Sequence, residues 1–203
     1  MEKDTNILRA IQHKVETDSV SINPAQNYQN RIQEQGERFE SFVKRLFSLS
    51  LNDEELDPEL FKLTGRVADN GSRIDQRSFK IFQNYYSWLG SANNPPDLKI
   101  KNGDCIEIKK KGSPFGVIAL NSSPPRAKMK RDDPMIQRGM RDCEDNWEES
   151  DVLYVVGIED KLNRNQWKHI WMFYGDTLFD DEVYDSIRSG LFNSIKNMLD
   201  EFA

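Results

Sequence analysis

The stretch DLKIKNGDCIEIKKK, near the middle of the chain, most constrains the fold that this sequence can adopt. Polar and apolar residues alternate on both sides of Asn102-Gly103, the dipeptide most typical of a tight turn between two strands. The pattern predicts one strand from about Asp97 to Lys101 and a second from Asp104 to Lys110. The chain is therefore expected to contain a β-hairpin flanked by other secondary structure.

The second of these strands brings acidic and basic side chains together. Glu107 and Lys109 are two residues apart, so we expect them on one face of the strand, with Ile106 and Ile108 on the other face, in the core. Asp97 begins the neighbouring strand and is expected beside them. A pair of carboxylates with sites left for water and phosphate suits Mg²⁺, which can polarise a phosphodiester and acidify a bound water. A surface hairpin with an exposed Glu–Lys pair is the alternative, because so short a pattern recurs by chance.

Helices precede this hairpin, and strands followed by a helix come after it. The spacing of apolar residues predicts helices over 5–16, 25–48, 74–89 and 182–202. Further strands are predicted over 115–121, 150–160 and 168–176. The strand over 150–160 is apolar almost throughout, as is typical of a strand buried on both faces. This order predicts an α/β fold with a central mixed sheet flanked by helices.

Composition is that of a globular protein with a polar surface. Of the 203 residues, 37% are hydrophobic and 31% are charged, and no apolar run approaches the roughly 20 residues of a membrane helix. The first residues lack the apolar core of a secretion signal. Cys105 and Cys143 are too few for a disulfide framework or a zinc site. We expect a cytoplasmic protein without a membrane partner. We also expect a single domain over 1–203, made of a helical appendage at 1–23 and a core at 24–203.

Charge is distributed unevenly along the chain. The net charge is −6, but the segment from Lys99 to Arg131 contains nine basic and two acidic residues, a net +7, which leaves −13 for the remainder. Since the local field steers a polyanion more than whole-chain charge does, this segment is a candidate for DNA contact. A solvated basic surface is the alternative.

Longer blocks around the carboxylates resemble a known family. NNPPD at 93–97, EIKK at 107–110 and LNSSPP at 120–125 are similar to the NgoPII family of restriction enzymes. Asp97, Glu107 and Lys109 match the PD-(D/E)XK motif of type II restriction endonucleases. NRIQEQGERFESFVKRLF at 30–47 is similar to a helix of that family, and Glu40 matches its glutamate. The resemblance covers about 30–136 and implies a PD-(D/E)XK restriction-endonuclease-like fold.

The resemblance also implies an activity. It points to a Mg²⁺-dependent type II restriction endonuclease that cuts both strands of double-stranded DNA at a short palindrome, with GGCC as a candidate target. Asp97 and Glu107 are then the metal ligands, Lys109 is the catalytic lysine, and Glu40 supports the metal or its water. A palindromic site implies a homodimer. A DNA methyltransferase that protects the host DNA, without binding the enzyme, is expected in the same prokaryotic cytoplasm.

The segment 121–141 is predicted to contact DNA, mainly on the strength of the resemblance. Short polar side chains can bond base edges or phosphates, and basic side chains can neutralise phosphates. Arg126 is in addition able to read guanine through two parallel hydrogen bonds. The candidate DNA-binding residues are Asn121, Ser122, Ser123, Arg126, Lys128, Lys130 and Arg131.

Three other functions are compatible with the sequence. A DNA-binding module on a nuclease scaffold would bind selectively without cutting, although the complete set of Asp97, Glu107 and Lys109 argues against it. A repair or junction nuclease would cut without regard to fixed sites. A structural or protein-interaction domain would not retard DNA at low salt.

Overall fold

The computed structural model describes residues 32–51, 56–70, 75–92, 94–111, 125–159 and 167–177, with scattered helical positions between 182 and 200. The helix predicted over 5–16, the appendage at 1–23 and the strand predicted over 115–121 lie outside the described residues. So do the candidate DNA-binding residues Asn121, Ser122 and Ser123.

Within the ranges described above, three helices have both ends assigned. They are α1 (Ile32–Leu51), α2 (Gln76–Tyr85) and the single turn α3 (Arg138–Arg141), and short 3₁₀ turns span Pro58–Lys62, Val67–Asn70 and Gly175–Thr177. The side chain of Asp75 caps α2 by accepting a hydrogen bond from the Ser78 N–H at 2.8 Å, which satisfies a donor that the first helical turn leaves open. Within the described residues, no helix has the length and apolar character needed to cross a bilayer.

A six-stranded mixed sheet forms the centre of the molecule. Its strands are β1 (Tyr86–Trp88), β2 (Leu98–Ile100), β3 (Cys105–Lys111), β4 (Lys128–Lys130), β5 (Glu149–Glu159) and β6 (Trp167–Tyr174). The order is β1-β2-β3-β5-β4, and β6 also pairs with β5. The β3–β5 pair is parallel and the other pairs are antiparallel. The predicted α/β class with a central mixed sheet is confirmed.

The predicted hairpin is present at β2 and β3. Asn102 in its turn has a φ of 56°, a left-handed conformation that asparagine tolerates better than most residues. Leu98 lies in register with Ile106, so the two strands pair antiparallel as the alternation indicated. On the other side of β3, strand β5 is buried from Val152 to Ile158, which confirms the predicted doubly buried strand.

Two short strands depart from the sequence expectations. The helix predicted over 74–89 is too long, because α2 ends at Tyr85 and β1 follows at once, with Tyr86 in register with Ile100. The aromatic run continues across this boundary, so apolar spacing gave no sign of the change. Strand β4 lies inside the predicted DNA-contact loop, where Met129 is buried and pairs with Ser150 of β5.

The sheet separates two apolar clusters. On one face, α1 and α2 pack against β-strand residues that include Ile106, Leu153 and Val155. The second cluster consists of Trp88, Cys105, Ile136, Met129, Met140, Trp147, Val152 and Tyr154. Strand β3 contributes Ile106 to the first cluster and Cys105 to the second, so its residues alternate between two buried environments.

Helix α1 packs closely against the sheet at Gly157 of β5. A Cβ at this position would lie 2.3 Å from Cζ of Phe39, and the Phe39 ring is also packed against Trp167 with their centroids 4.4 Å apart. Since interiors are close-packed, neither ring has room to move away without opening a void elsewhere. The absence of a side chain at Gly157 therefore sets the spacing between α1 and the sheet.

We predict that Gly157→Ala lowers the free energy of unfolding by about 1–3 kcal/mol, because the added methyl group overpacks the helix–sheet contact. Gly190→Ala is the matched control, since a Cβ there meets no atom within 4 Å. Urea unfolding of both variants measures the difference. Adding Phe39→Leu to Gly157→Ala should recover part of the loss, and equal stability of Gly157→Ala and wild type would contradict the packing argument.

Candidate active site

Strand β3 places Glu107 and Lys109 side by side. Nζ of Lys109 lies 2.7 Å from Oε1 of Glu107, and the side chains are only 14% and 6% exposed, respectively. Glu107 is in register with Tyr154 of the parallel strand β5, so these two side chains share one face of the sheet. Ile106 lies in the core cluster on the helical face and Ile108 packs against it. The alternation expected from the sequence thus holds for these four positions of β3.

Asp97 reaches the same place from the residue before β2. Its Oδ2 accepts a hydrogen bond of 2.6 Å from the backbone N–H of Ile108, the residue between Glu107 and Lys109. The geometry therefore brings together the three side chains that the sequence singled out. Their catalytic role stays a prediction.

Burial and charge act strongly on Asp97. Loss of hydration, the nearby Glu107 carboxylate and, to a smaller extent, Glu40 raise the pKa of this carboxyl. The Lys109 ammonium and the hydrogen bond from the Ile108 N–H oppose the increase, and the net result is a pKa of about 8. The carboxylates of Glu107 and Glu40 thus both oppose ionisation of Asp97, a condition that a bound cation would relieve.

The donor set fits Mg²⁺. Among the residues that the structure describes, no group of three or more His, Cys, Asp or Glu side chains is arranged to hold a metal ion. Proteins usually hold Mg²⁺ with one or two carboxylates and leave its other positions to water and phosphate, unlike the closed ligand sets of structural metals. Asp97 and Glu107 provide two carboxylates whose mutual repulsion Mg²⁺ would offset.

Glu40 lies on α1 as predicted and is held there by Lys44. Oε1 of Glu40 is 2.6 Å from Nζ of Lys44, one helical turn later. Lys44 itself is buried, with 1% of its surface exposed. Sequence reasoning did not identify it, although a lysine between the buried residues Val43 and Leu46 of an apolar helix face was a signal for it.

The structure describes four of the predicted DNA-binding residues. Lys128 and Lys130 lie in β4, and Arg126 and Arg131 lie just before and after it. Arg126 forms an ion pair with Asp133, and its backbone N–H donates a hydrogen bond of 2.9 Å to the hydroxyl of Tyr154. Because Tyr154 is beside Glu107, this hydrogen bond fixes the start of the basic segment close to the carboxylate cluster.

The other three basic residues extend away from that point. Lys128 pairs with Glu149 on the neighbouring strand, and Nη1 of Arg131 donates to the carbonyl oxygen of Asp145 at 2.8 Å. Lys130 is exposed on β4. Their contact with DNA stays a prediction.

A pair of hydrogen bonds connects the NNPPD loop to the segment after β4. Nδ2 of Asn94 donates to the carbonyl oxygen of Met135 at 2.9 Å, and Nε2 of Gln137 donates to Oδ1 of Asn94 at 3.1 Å. Sequence reasoning did not foresee this connection, because its two sides are about forty residues apart. It holds the loop that leads to Asp97 against the segment that follows the basic residues.

The two cysteines are free thiols without the environment of a nucleophile. Burial raises the pKa of the Cys105 thiol to about 12, and it also raises the pKa of Cys143.

Comparison with known proteins places these residues in a family. The family model for NgoPII restriction endonuclease matches residues 5–202. The type II restriction enzyme NgoPII of Neisseria gonorrhoeae is 37% identical over 194 residues, which are 95% of this chain and 62% of the relative. The chain thus spans about three-fifths of that relative's length, and no solved structure matches it. Because the family match extends over nearly the whole sequence and includes Asp97, Glu107 and Lys109, the chain belongs to the NgoPII restriction endonuclease family.

Proposed function

We propose that this chain is a type II restriction endonuclease that hydrolyses both strands of double-stranded DNA at a short palindromic site, with Mg²⁺ as cofactor. The observation that carries the proposal is the meeting of Asp97, Glu107 and Lys109 at one point beside β3. Family membership supports the reaction class, and the resemblance of the NNPPD and LNSSPP blocks supports GGCC as the target.

Each residue of the cluster has a distinct task in phosphodiester hydrolysis. Asp97 and Glu107 hold Mg²⁺, which when bound supplies positive charge against the phosphate and acidifies a water. Lys109 donates a hydrogen bond that orients the attacking water in line with the scissile bond and stabilises the negative charge that develops on phosphate. Glu40 accepts a hydrogen bond from that water. The water oxygen bonds to phosphorus as the bond to the 3′ oxygen breaks. The proton that the water loses passes to solvent, and the departing 3′ oxygen takes a proton from solvent, which leaves a 5′-phosphate and a 3′-hydroxyl.

The basic residues around β4 hold the DNA. Lys128, Lys130 and Arg131 neutralise phosphates, whereas Arg126 exchanges its ion pair with Asp133 for a guanine edge. Asn121, Ser122 and Ser123 contribute polar contacts from the preceding segment. A two-fold symmetric homodimer presents one cluster to each strand of the palindrome. In the cell, a cognate methyltransferase modifies the same site without binding the nuclease.

We predict that Glu107→Gln and Lys109→Met each slow cleavage by at least about 10²–10³-fold, because each removes a charge that acts on the reacting phosphate. Single-turnover digestion of a plasmid in Mg²⁺ measures the rate, and EDTA should abolish it. Lys110→Gln is the matched control, since this lysine lies on the opposite side of β3 with its Nζ 5.6 Å from the Trp167 ring. Equal cutting by all four proteins would contradict the proposed function.

We predict that Asp97→Asn changes how stability depends on pH in metal-free protein. Between the unfolded pKa of 3.8 and the folded pKa of about 8, the folded state keeps a proton that the unfolded chain has lost, so wild-type stability falls as the pH rises. Asparagine removes this dependence. Relative to wild type, the variant should become more stable as the pH rises from about 5 to about 8, by up to about 1 kcal/mol per pH unit, with no further gain above that range.

Urea unfolding in EDTA across this range tests the pH prediction. Asp151→Asn serves as the control, because Asp151 is exposed on β5. Mg²⁺ should flatten the wild-type curve by binding the ionised carboxylate. Parallel curves for wild type and Asp97→Asn would refute the buried position of this acid.

We predict different effects on DNA binding from two substitutions near β4. Lys130→Ala should reduce the slope of log K against log salt by about 0.9 for all sequences, as expected for one lost phosphate contact. Arg126→Ala should weaken binding to the cognate site selectively, by about 1–3 kcal/mol. Fluorescence anisotropy in Ca²⁺ measures both, with Lys62→Ala as the control, since this exposed lysine pairs with Glu59 and is not among the predicted DNA contacts. A uniform loss for Arg126→Ala would assign it to phosphate contact instead.

A further inference from the structure

Lys44 of α1 is a buried cation that the proposed chemistry does not use. Its Nζ lies 2.6 Å from Oε1 of Glu40, 3.1 Å from the carbonyl oxygen of Leu63 and 3.0 Å from the carbonyl oxygen of Leu89. An ammonium group has three donors, so this set of three acceptors uses all of them. Since burying a cation is costly unless it is fully hydrogen-bonded, such a complete set fixes the ammonium at one place.

The contact with Leu89 connects Lys44 to the backbone that packs against Asp97. Gly90, the next residue, has a φ of +83°, and a Cβ on it would lie 2.6 Å from the backbone oxygen of Asp97. The backbone at 89–90 therefore packs directly against the residue that carries the carboxylate. A lysine bonded to Leu89 O restrains the position of that backbone.

The contact with Leu63 restrains the same loop from a second side. The N–H of Gly65 donates to Gly90 O at 2.8 Å, and the N–H of Leu89 donates to Gly65 O at 2.9 Å. The loop after Leu63 and the loop after β1 are thus joined to each other, and Lys44 bonds to both. Its third partner, Glu40, is close enough to raise the pKa of Asp97.

We propose that Lys44 is a positioning residue of the nuclease site, whose ammonium holds the Glu40 carboxylate and the loop behind Asp97 at a fixed separation. The inference rests on the proposed function. Lys44 touches no reacting atom and acts through Glu40 and through the backbone at 89–90. Its loss should therefore slow the chemical step, because misplacement of a catalytic group by about 1 Å is enough to cost 10²-fold in rate.

Ser48 is a matched control for this inference. It is buried to the same extent, one turn further along the same helix, and its Oγ contacts Lys44 O at 2.9 Å and the Tyr86 hydroxyl at 3.0 Å. None of these partners is in the carboxylate cluster. Ser48→Ala therefore removes a buried polar group from α1 without altering the contacts of the Lys44 ammonium.

The test compares Lys44→Gln, Glu40→Gln, the double variant and Ser48→Ala, with the single-turnover rate in Mg²⁺ and the DNA affinity in Ca²⁺ as readouts. We expect Lys44→Gln to slow cleavage by about 10- to 100-fold. Its DNA affinity should stay within about twofold of wild type. Ser48→Ala should leave the cleavage rate within about twofold of the wild-type rate. The double variant should lose less than the product of the two single losses, because Lys44 acts partly through Glu40.

Three results would overturn the inference: a Lys44→Gln rate equal to that of Ser48→Ala, a loss that appears in DNA affinity instead of rate, or single losses that multiply in the double variant. Failure of the wild type to cut any DNA in Mg²⁺ is a different result, since it refutes the proposed function and the inference with it.

A measurement on the unsubstituted protein covers the case in which Lys44→Gln does not fold. In protein labelled with ¹⁵N at lysine Nζ and at backbone amides, the Lys44 ammonium signal is assigned by its change in Glu40→Gln. The Ile108 amide, bonded to Asp97, reports Mg²⁺ binding. We expect both signals to shift on adding Mg²⁺. A shift of Ile108 alone would overturn the role of Lys44, and no shift of either would remove the metal site.

Discussion

The parallel pairing of β3 with β5 is the constraint on which the rest of the structure depends. Seven consecutive residue pairs, from Cys105–Val152 to Lys111–Ile158, fix the register. This register sets Glu107 beside Tyr154 and leaves Ile106 and Ile108 for the helical face. A slip of one residue would turn every side chain of β3 to the opposite face. Because burial of the apolar residues of β5 fixes the register, it also fixes the face on which Glu107 and Lys109 lie.

The same packing also buries carboxylates that repel one another. The buried strands exclude water from Asp97, and Glu107 adds a second negative charge nearby. Ionisation of both carboxylates is therefore unfavourable unless a cation binds between them. Lys109 offsets part of that charge and Lys44 fixes a third acid on α1. The fold thus holds charged groups in positions that cost stability in the free protein and that a bound cation would stabilise.

Local patterns predicted the elements that have strong periodicity. The Asn102-Gly103 turn, the alternation of β3 and the apolar run of β5 were all evident in the sequence, and so was the apolar face of α1. The β1 strand was not, because the aromatic run over 85–88 suits a helix as well as a strand, and only pairing with β2 decides it. The contacts of Lys44 with Leu89 and of Asn94 with Met135 link residues more than forty positions apart, and no local pattern carries that information.

The proposed function requires that Asp97 and Glu107 bind one divalent cation next to Lys109. Anomalous diffraction from crystals of the protein with uncut DNA and Mn²⁺ in place of Mg²⁺ tests it most directly. We expect an anomalous peak between the two carboxylates, and its absence from Glu107→Gln crystals. A Mn²⁺ ion bound by other residues, with Asp97 and Glu107 free of metal, would contradict it.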